Sequence, residues 1–197
     1  MSIDVAREGC IYTSCYCEEN VWCLCDKIRR DYPDKIERCY CIFISNKKRA
    51  IPFWRQRASK REDGQVFWDY HVIFVYQPSD SHTLVYDLDT TLTFPCDFRR
   101  YYEESIKDDR HFKPEYQRLF RVIQAAEFLQ TFASDRSHML TQDGHWMSPP
   151  PAYPPIKTEE CSNNIQEFIS MEKEYNHGVV LNLEDLLEKF MGNSNNT

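Results

Sequence analysis

The segment from Gly64 to Thr90 constrains the fold more than any other. It reads GQVFWDYHVIFVY, then QPSDS, then HTLVYDLDT. The first and last runs are rich in β-branched and aromatic residues, which suit a pleated, half-buried surface. Pro, Ser and Asp between them supply turn chemistry. Two such runs closed by a short turn make an antiparallel hairpin. Centring it on Ser79 sets Tyr76 against His82, Phe74 against Leu84 and His71 against Asp87. Directly opposed residues share a face, with Cβ atoms about 4.5–5.5 Å apart. The turn therefore proposes a His71–Asp87 couple, conditional on register, because a slip of one residue sends the partners to opposite faces.

A thiol sits where such a couple has a use. In TSCYCEENVW (13–22) polar residues give way to a helical pattern, with Val21, Leu24, Cys25 and Ile28 at i, i+3, i+4 and i+7. Glu18, Glu19 and Asn20 fill its first turn, where acidic groups complement the helix dipole. A cysteine near a helix N-terminus and a histidinium has its pKa lowered to roughly 3.5–7.5. Cys17 lies nearer the helix start than Cys15. Glu18 and Glu19 work against a thiolate, so His71 has to supply the dominant positive charge. Taken singly, a histidine on an apolar strand is a satisfied core residue, and Asp87 caps a strand end. Taken together, Cys17, His71 and Asp87 point to nucleophilic catalysis as strongly as to structure.

The remaining pattern is mixed. CYCIFIS (39–45) reads as a buried strand and AIPFW (50–54) as an edge strand, given Pro52. Periodicity does not decide between helix and strand for FRVI (120–123); a strand followed by a short helix at 125–133 is the favoured reading. TQDGHWMSPPPAYPPIK (141–157) holds five of the ten prolines and reads as a long extended loop. Helices are expected near 164–171 and 183–190, the second capped by Asn182. The class is α+β, an antiparallel sheet flanked by helices. At 197 residues the chain reads as a single catalytic domain, 1–197, with loose ends at 1–9 and 192–197.

Composition narrows the chemistry. A net charge of −7 disfavours a phosphate backbone as partner, and no apolar run reaches membrane-spanning length. The N-terminus carries no apolar signal region, so the nine cysteines read as reduced thiols in the cytoplasm, with nuclear residence also open. The pairs Cys15/Cys17, Cys23/Cys25 and Cys39/Cys41 are spaced by one residue, whereas structural zinc sites use two to four. Core filling is the better reading of most of them, and no metal is assigned. P-loop, G-x-G-x-x-G, H-E-x-x-H and G-x-S-x-G patterns are all missing from the sequence. A monomer is the default expectation.

SCYCEENVW, WDYHV (68–72), YDLDT (86–90), FASDRSHM (132–139) and the proline-rich loop, in that order, resemble the protein N-terminal glutamine amidohydrolases. The resemblance runs from about residue 10 to 190. It implies a cysteine-hydrolase core similar to papain and transglutaminase, without cofactor. It also implies a triad of Cys17, His71 and Asp87, the last two coinciding with the hairpin pair. The implied reaction deamidates an N-terminal glutamine side chain to glutamate and ammonia through a thioester, feeding an N-end-rule degradation route. The substrate's free α-amine needs a carboxylate partner. Asp135 stands first, with Glu19 and Asp69 as alternatives, and a salt bridge to a neighbouring base is the other use of Asp135. Trp146 and Tyr153 are candidates for the pocket wall. The competing readings are another thiol acyl-transfer enzyme, either protease or transglutaminase-like, and a non-enzymatic module built on PPPAYPP and a cysteine cluster.

Overall fold

The computed structural model describes residues 3–79, 82–172 and 174–192. The chain opens with α1 (Cys17–Asp31), then β1 (Cys39–Ser45), β2 (Ile51–Phe53), β3 (Val66–Trp68), β4 (His71–Ser79), β5 (His82–Tyr86) and β6 (Cys96–Asp97). It continues through α2 (Phe98–Tyr101), β7 (Leu119–Gln124), α3 (Ala125–Thr131), α4 (Ile165–Ile169), β8 (Val179–Leu181) and α5 (Leu183–Met191). Six strands form one antiparallel sheet in the order β6-β5-β4-β1-β7-β8, and β2 pairs with β3 separately. The architecture is α+β, as expected.

Side chains alternate across the sheet with period two, and each face builds its own core. Cys41 and Phe43 of β1 join Val72, Phe74 and Tyr76 of β4 beneath α1, α3 and α4. The intervening Ile42, Ile44, Ile73 and Val75 pack on the other face with α2, α5, Ile51 and Phe53. The α1 stripe Val21, Leu24, Cys25 and Ile28 is buried as its spacing requires, each large aliphatic side chain contributing about 1.5–3 kcal/mol. Cys25, Cys39, Cys41 and Cys96 are buried, and all nine cysteines are free thiols.

Three expectations are corrected. The run 64–76 is two strands in different sheets. Asp69 accepts the Tyr70 N–H at 3.0 Å and its carbonyl accepts from Ser45 Oγ at 2.8 Å, so the chain changes partner there. The hairpin register differs by two: Phe74 faces Tyr86, Val75 faces Val85 and Tyr76 faces Leu84, with an irregularity before Ser79–His82. A shift of two preserves every face, so His71 and Asp87 stay on the same side. From residue 3 onward the amino-terminal segment is also packed rather than loose. Ile3 and Val5 are buried, and Arg7 donates to the carbonyls of Leu88, Thr90 and Leu92 at 3.2, 2.6 and 2.9 Å. Residues 80–81 of the turn and 193–197 of the tail lie outside the described residues. Asn182 caps α5, its side chain accepting the Asp185 N–H at 2.9 Å.

Candidate functional site

The start of α1 is built by the three polar residues that follow Cys17, all buried. Asn20 turns back on the preceding segment, accepting the Thr13 N–H and donating to the Thr13 carbonyl, both at 2.8 Å. Glu19 receives two bonds of 2.8 Å from the Arg136 guanidinium, a paired arrangement that satisfies a buried carboxylate. Glu18 accepts from Tyr70 Oη at 3.0 Å and from the Cys17 thiol at 3.7 Å. Each residue of the Glu-Glu-Asn triplet thus ties the helix mouth to a different part of the chain.

His71 opens β4 and is 1% exposed. Its Nε2 lies 3.1 Å from Asp87 Oδ1. An ionised carboxylate only accepts, so Nε2 carries the proton and Nδ1 remains for another partner. Trp68 stacks on the ring at 5.9 Å between centroids and Phe53 meets it edge-on at 5.3 Å. Asp87 follows the last residue of β5, where the chain leaves the ladder. Its Oδ2 accepts from Tyr101 Oη at 2.7 Å and Gln56 Nε2 at 3.1 Å, and its Oδ1 accepts the Asp89 N–H at 2.9 Å. Burial opposes the charge on both partners. The Asp87 charge and hydrogen bond, with help from Asp89, nevertheless raise the His71 pKa, and the same pairing lowers that of Asp87.

Cys17 and His71 border one cavity of about 330 Å³, together with Asp69, Tyr70, Asp89, His138, Met147 and Ser148. A larger cavity of about 600 Å³, near the start of α5, has neither thiol nor imidazole among its described lining residues. The thiol differs from expectation. Burial, followed by Glu18, Asp89 and Asp69, pushes the Cys17 pKa well above the ordinary cysteine value, and the Val72 backbone N–H opposes them. Helix position alone does not outweigh a desolvated, acidic surrounding.

The structure brings Cys17, His71 and Asp87 to this one place and separates the other candidates. Glu19 is committed to Arg136. Asp135 is exposed, makes its bond to the Ser137 N–H at 2.9 Å, and is outside the cavity lining. Asp69 does line it. Of the aromatic wall candidates, Tyr153 packs over Arg136 and borders a different groove, and Trp146 is exposed beside the lining residue Met147. His138 lies in FASDRSHM, and Met147 and Ser148 in the proline-rich loop, without having been singled out there, whereas Arg49 and Gln166 carry no local signal. Trp68 was signalled by WDYHV. His71, Asp87 and Asp89 offer ligand atoms within 4.8 Å of one another, a spacing open to a metal ion. The Asp87 oxygens are already engaged by four donors, which accounts for the cluster without one.

Comparison with known proteins supplies the wider context. The family model described as N-terminal glutamine amidase matches residues 12–190. A protein N-terminal glutamine amidohydrolase of Bos taurus is 46% identical, over 93% of this chain and 88% of its own length. The Homo sapiens protein of the same name is 45% identical over 93% and 89%, and that of Drosophila ananassae 45% over 92% and 88%. With nearly the whole chain matched and the Cys-Glu-Glu-Asn and Trp-Asp-Tyr-His-Val segments meeting at one cavity, the chain belongs to the N-terminal glutamine amidase family.

Proposed function

We propose that this chain hydrolyses the side-chain amide of an N-terminal glutamine on proteins and peptides, with Cys17 as nucleophile, His71 as acid and base, and Asp87 as the group that orients His71. The carrying observation is the His71–Asp87 contact of 3.1 Å beside the cavity shared with Cys17. His71 Nδ1 takes the thiol proton as sulfur attacks the amide carbon. The Cys17 N–H at the head of α1 is the donor we assign to the developing oxyanion. His71 then passes its proton to the departing nitrogen, and ammonia leaves a thioester. Water attacks next, giving its proton through His71 to the released sulfur, and the product is N-terminal glutamate. Asp87 stabilises the imidazolium and fixes the tautomer throughout.

The product bears a new carboxylate next to a free amine, which fits a role at the entry of an N-end-rule route in the cytoplasm or nucleus. The protein would act there as a monomer. The test is ammonia release from peptides beginning Gln, Asn, acetyl-Gln and Gly-Gln, with wild type and Cys17→Ala. Release from free N-terminal Gln alone, lost in the variant, is expected. Release from internal glutamine would favour a transglutaminase-like deamidase instead. Cys15 also lines the cavity but is exposed, so Cys15→Ser should retain most activity; a dead Cys15→Ser beside an active Cys17→Ala would reverse the assignment.

A further inference from the structure

The surroundings of Cys17 suit a cation better than they suit a thiolate. Glu18 approaches it from α1 itself, Asp69 and Tyr70 from the turn before β4, and Asp89 from the segment after β5. His71 heads β4, His138 stands on the 137–139 turn, Cys15 precedes the helix, and Arg49 lies on the 46–49 turn. Arg49 is the one fixed cation among the described lining residues, and it is exposed and bonded to Gln166 Oε1 at 2.6 Å.

Glu18 carries the decisive detail. It is 0% exposed, its Oε2 accepts from Tyr70 and the Cys17 thiol, and its Oε1 has no hydrogen-bond partner. The neighbouring His138 Nε2 lies 3.5 Å from that oxygen, an ion-pair contact when the imidazole is protonated, and 3.4 Å from Tyr70 Oη. A buried carboxylate oxygen without a donor is costly. It sits beside Cys17 and Tyr70, two residues that line the cavity.

We propose that in the free protein Cys17 rests as a neutral thiol hydrogen-bonded to the buried Glu18, and that the substrate's α-ammonium, entering the cavity beside Asp69 and Asp89, releases it for attack. The inference rests on the N-terminal amidase reading and extends it. Four covalent bonds separate the α-nitrogen of glutamine from its side-chain amide carbon. An ammonium seated against this acidic wall therefore stands close to the sulfur whenever the amide does. Its charge offsets the carboxylates that hold the proton on sulfur, and the thiol proton still passes to His71, so the proton balance of the reaction is unchanged. Glu18 is then a positioning residue acting through Cys17. The free amine becomes a condition for reactivity as well as for binding.

The test is alkylation of Cys17 by iodoacetamide, followed by peptide mass spectrometry as a function of pH at constant ionic strength. It is run alone, with glycine methylamide, and with N-acetylglycine methylamide. Both additives lack a side chain and leave the thiol open. Glycine methylamide should move the profile to lower pH by about one unit, a tenfold faster reaction near neutrality, and the acetylated compound should not. Glu18→Gln should show the lower-pH profile without any amine and should lose most of the response. An unchanged profile with glycine methylamide, or an equal response to both additives, would overturn the proposal without using a variant. The readout needs no turnover. Ammonia release with an amine-insensitive thiol would sink this inference alone, and an amine-dependent shift without ammonia release would sink only the deamidase reading.

Discussion

At the scale of single residues, the imidazole is held more tightly than the thiol. Asp87 receives four hydrogen bonds, including that from His71, and two come from Tyr101 and Gln56, far from it in sequence. Asp87→Asn should lower kcat by about 10³–10⁴-fold by disturbing the tautomer. Tyr101→Phe should cost about tenfold, since it removes one donor and leaves the pair. Comparable losses for the two variants would argue that Tyr101 acts on substrate directly. The pH dependence follows from the raised His71 pKa. A base is available only above that pKa, so kcat/KM should fall on acidification with a midpoint above the ordinary histidine value of about 6.5. An acid limb centred below pH 6 would contradict the charge assignment. The thiol is where residue-level reading of the sequence failed. The helix mouth was visible, but the burial that raises its pKa is a property of α1 lying against β4.

Among the elements, the i, i+3, i+4, i+7 stripe carried α1 and the continuous apolar run CYCIFIS carried β1, whereas periodicity did not decide FRVI, which is the strand β7. The break at Asp69 had no glycine or proline to mark it, and the hairpin carries an irregularity before Ser79, three residues of β4 against two of β5, within a register that differs by two from the expected one. The right pair was still found because an even shift keeps the face. The cavity walls were illegible for a different reason: residues 46–49, 137–148 and 166 meet only in the folded chain. Arg136 ties the loop that follows one of these walls to α1. Its guanidinium binds Glu19 and donates to the carbonyls of Pro151 and Tyr153 at 3.2 and 3.0 Å, pinning the proline-rich loop to α1. Arg136→Met leaves Glu19 buried and unpaired and should cost about 3–5 kcal/mol, read by denaturant titration. Asn182→Ala, which loses only the α5 cap, should cost about 1 kcal/mol. If the order of these two losses is reversed, the loop is held by its backbone bonds instead.

For the whole molecule, the segment from Ile3 to Arg7 belongs to the folded unit. Arg7 gathers three carbonyls from residues 88–92, directly after Asp87, and Ile3 and Val5 are buried in the core beneath α1. Arg7→Ala should reduce kcat several-fold with little change in KM, because it loosens the segment that carries Asp87 and Asp89; circular dichroism would establish that the fold persists. A pure loss of melting temperature at unchanged kcat would confine Arg7 to stability. Length and composition suggested a packed chain but gave no sign of this strap, since an arginine among small loops has no periodicity to betray it.

The central sheet separates two oily compartments; Cys17 packs against one, the His71 ring against residues of the other, and the two groups meet in the cavity at the start of β4. Cys17 rides on the packing under α1, whereas His71 is seated against Phe53 and Trp68 on the other face. Their relative position is therefore the difference between two independently settled packings. A methylene removed from either compartment, as in Ile73→Val on one side or Leu24→Val on the other, shifts one reacting group against the other. Displacements near 1 Å can cost about a hundredfold in rate, while the stability lost is of order 1 kcal/mol. The enzyme's tolerance to drift should accordingly be set by alignment across the sheet, and activity should decline in such variants well before the melting temperature does.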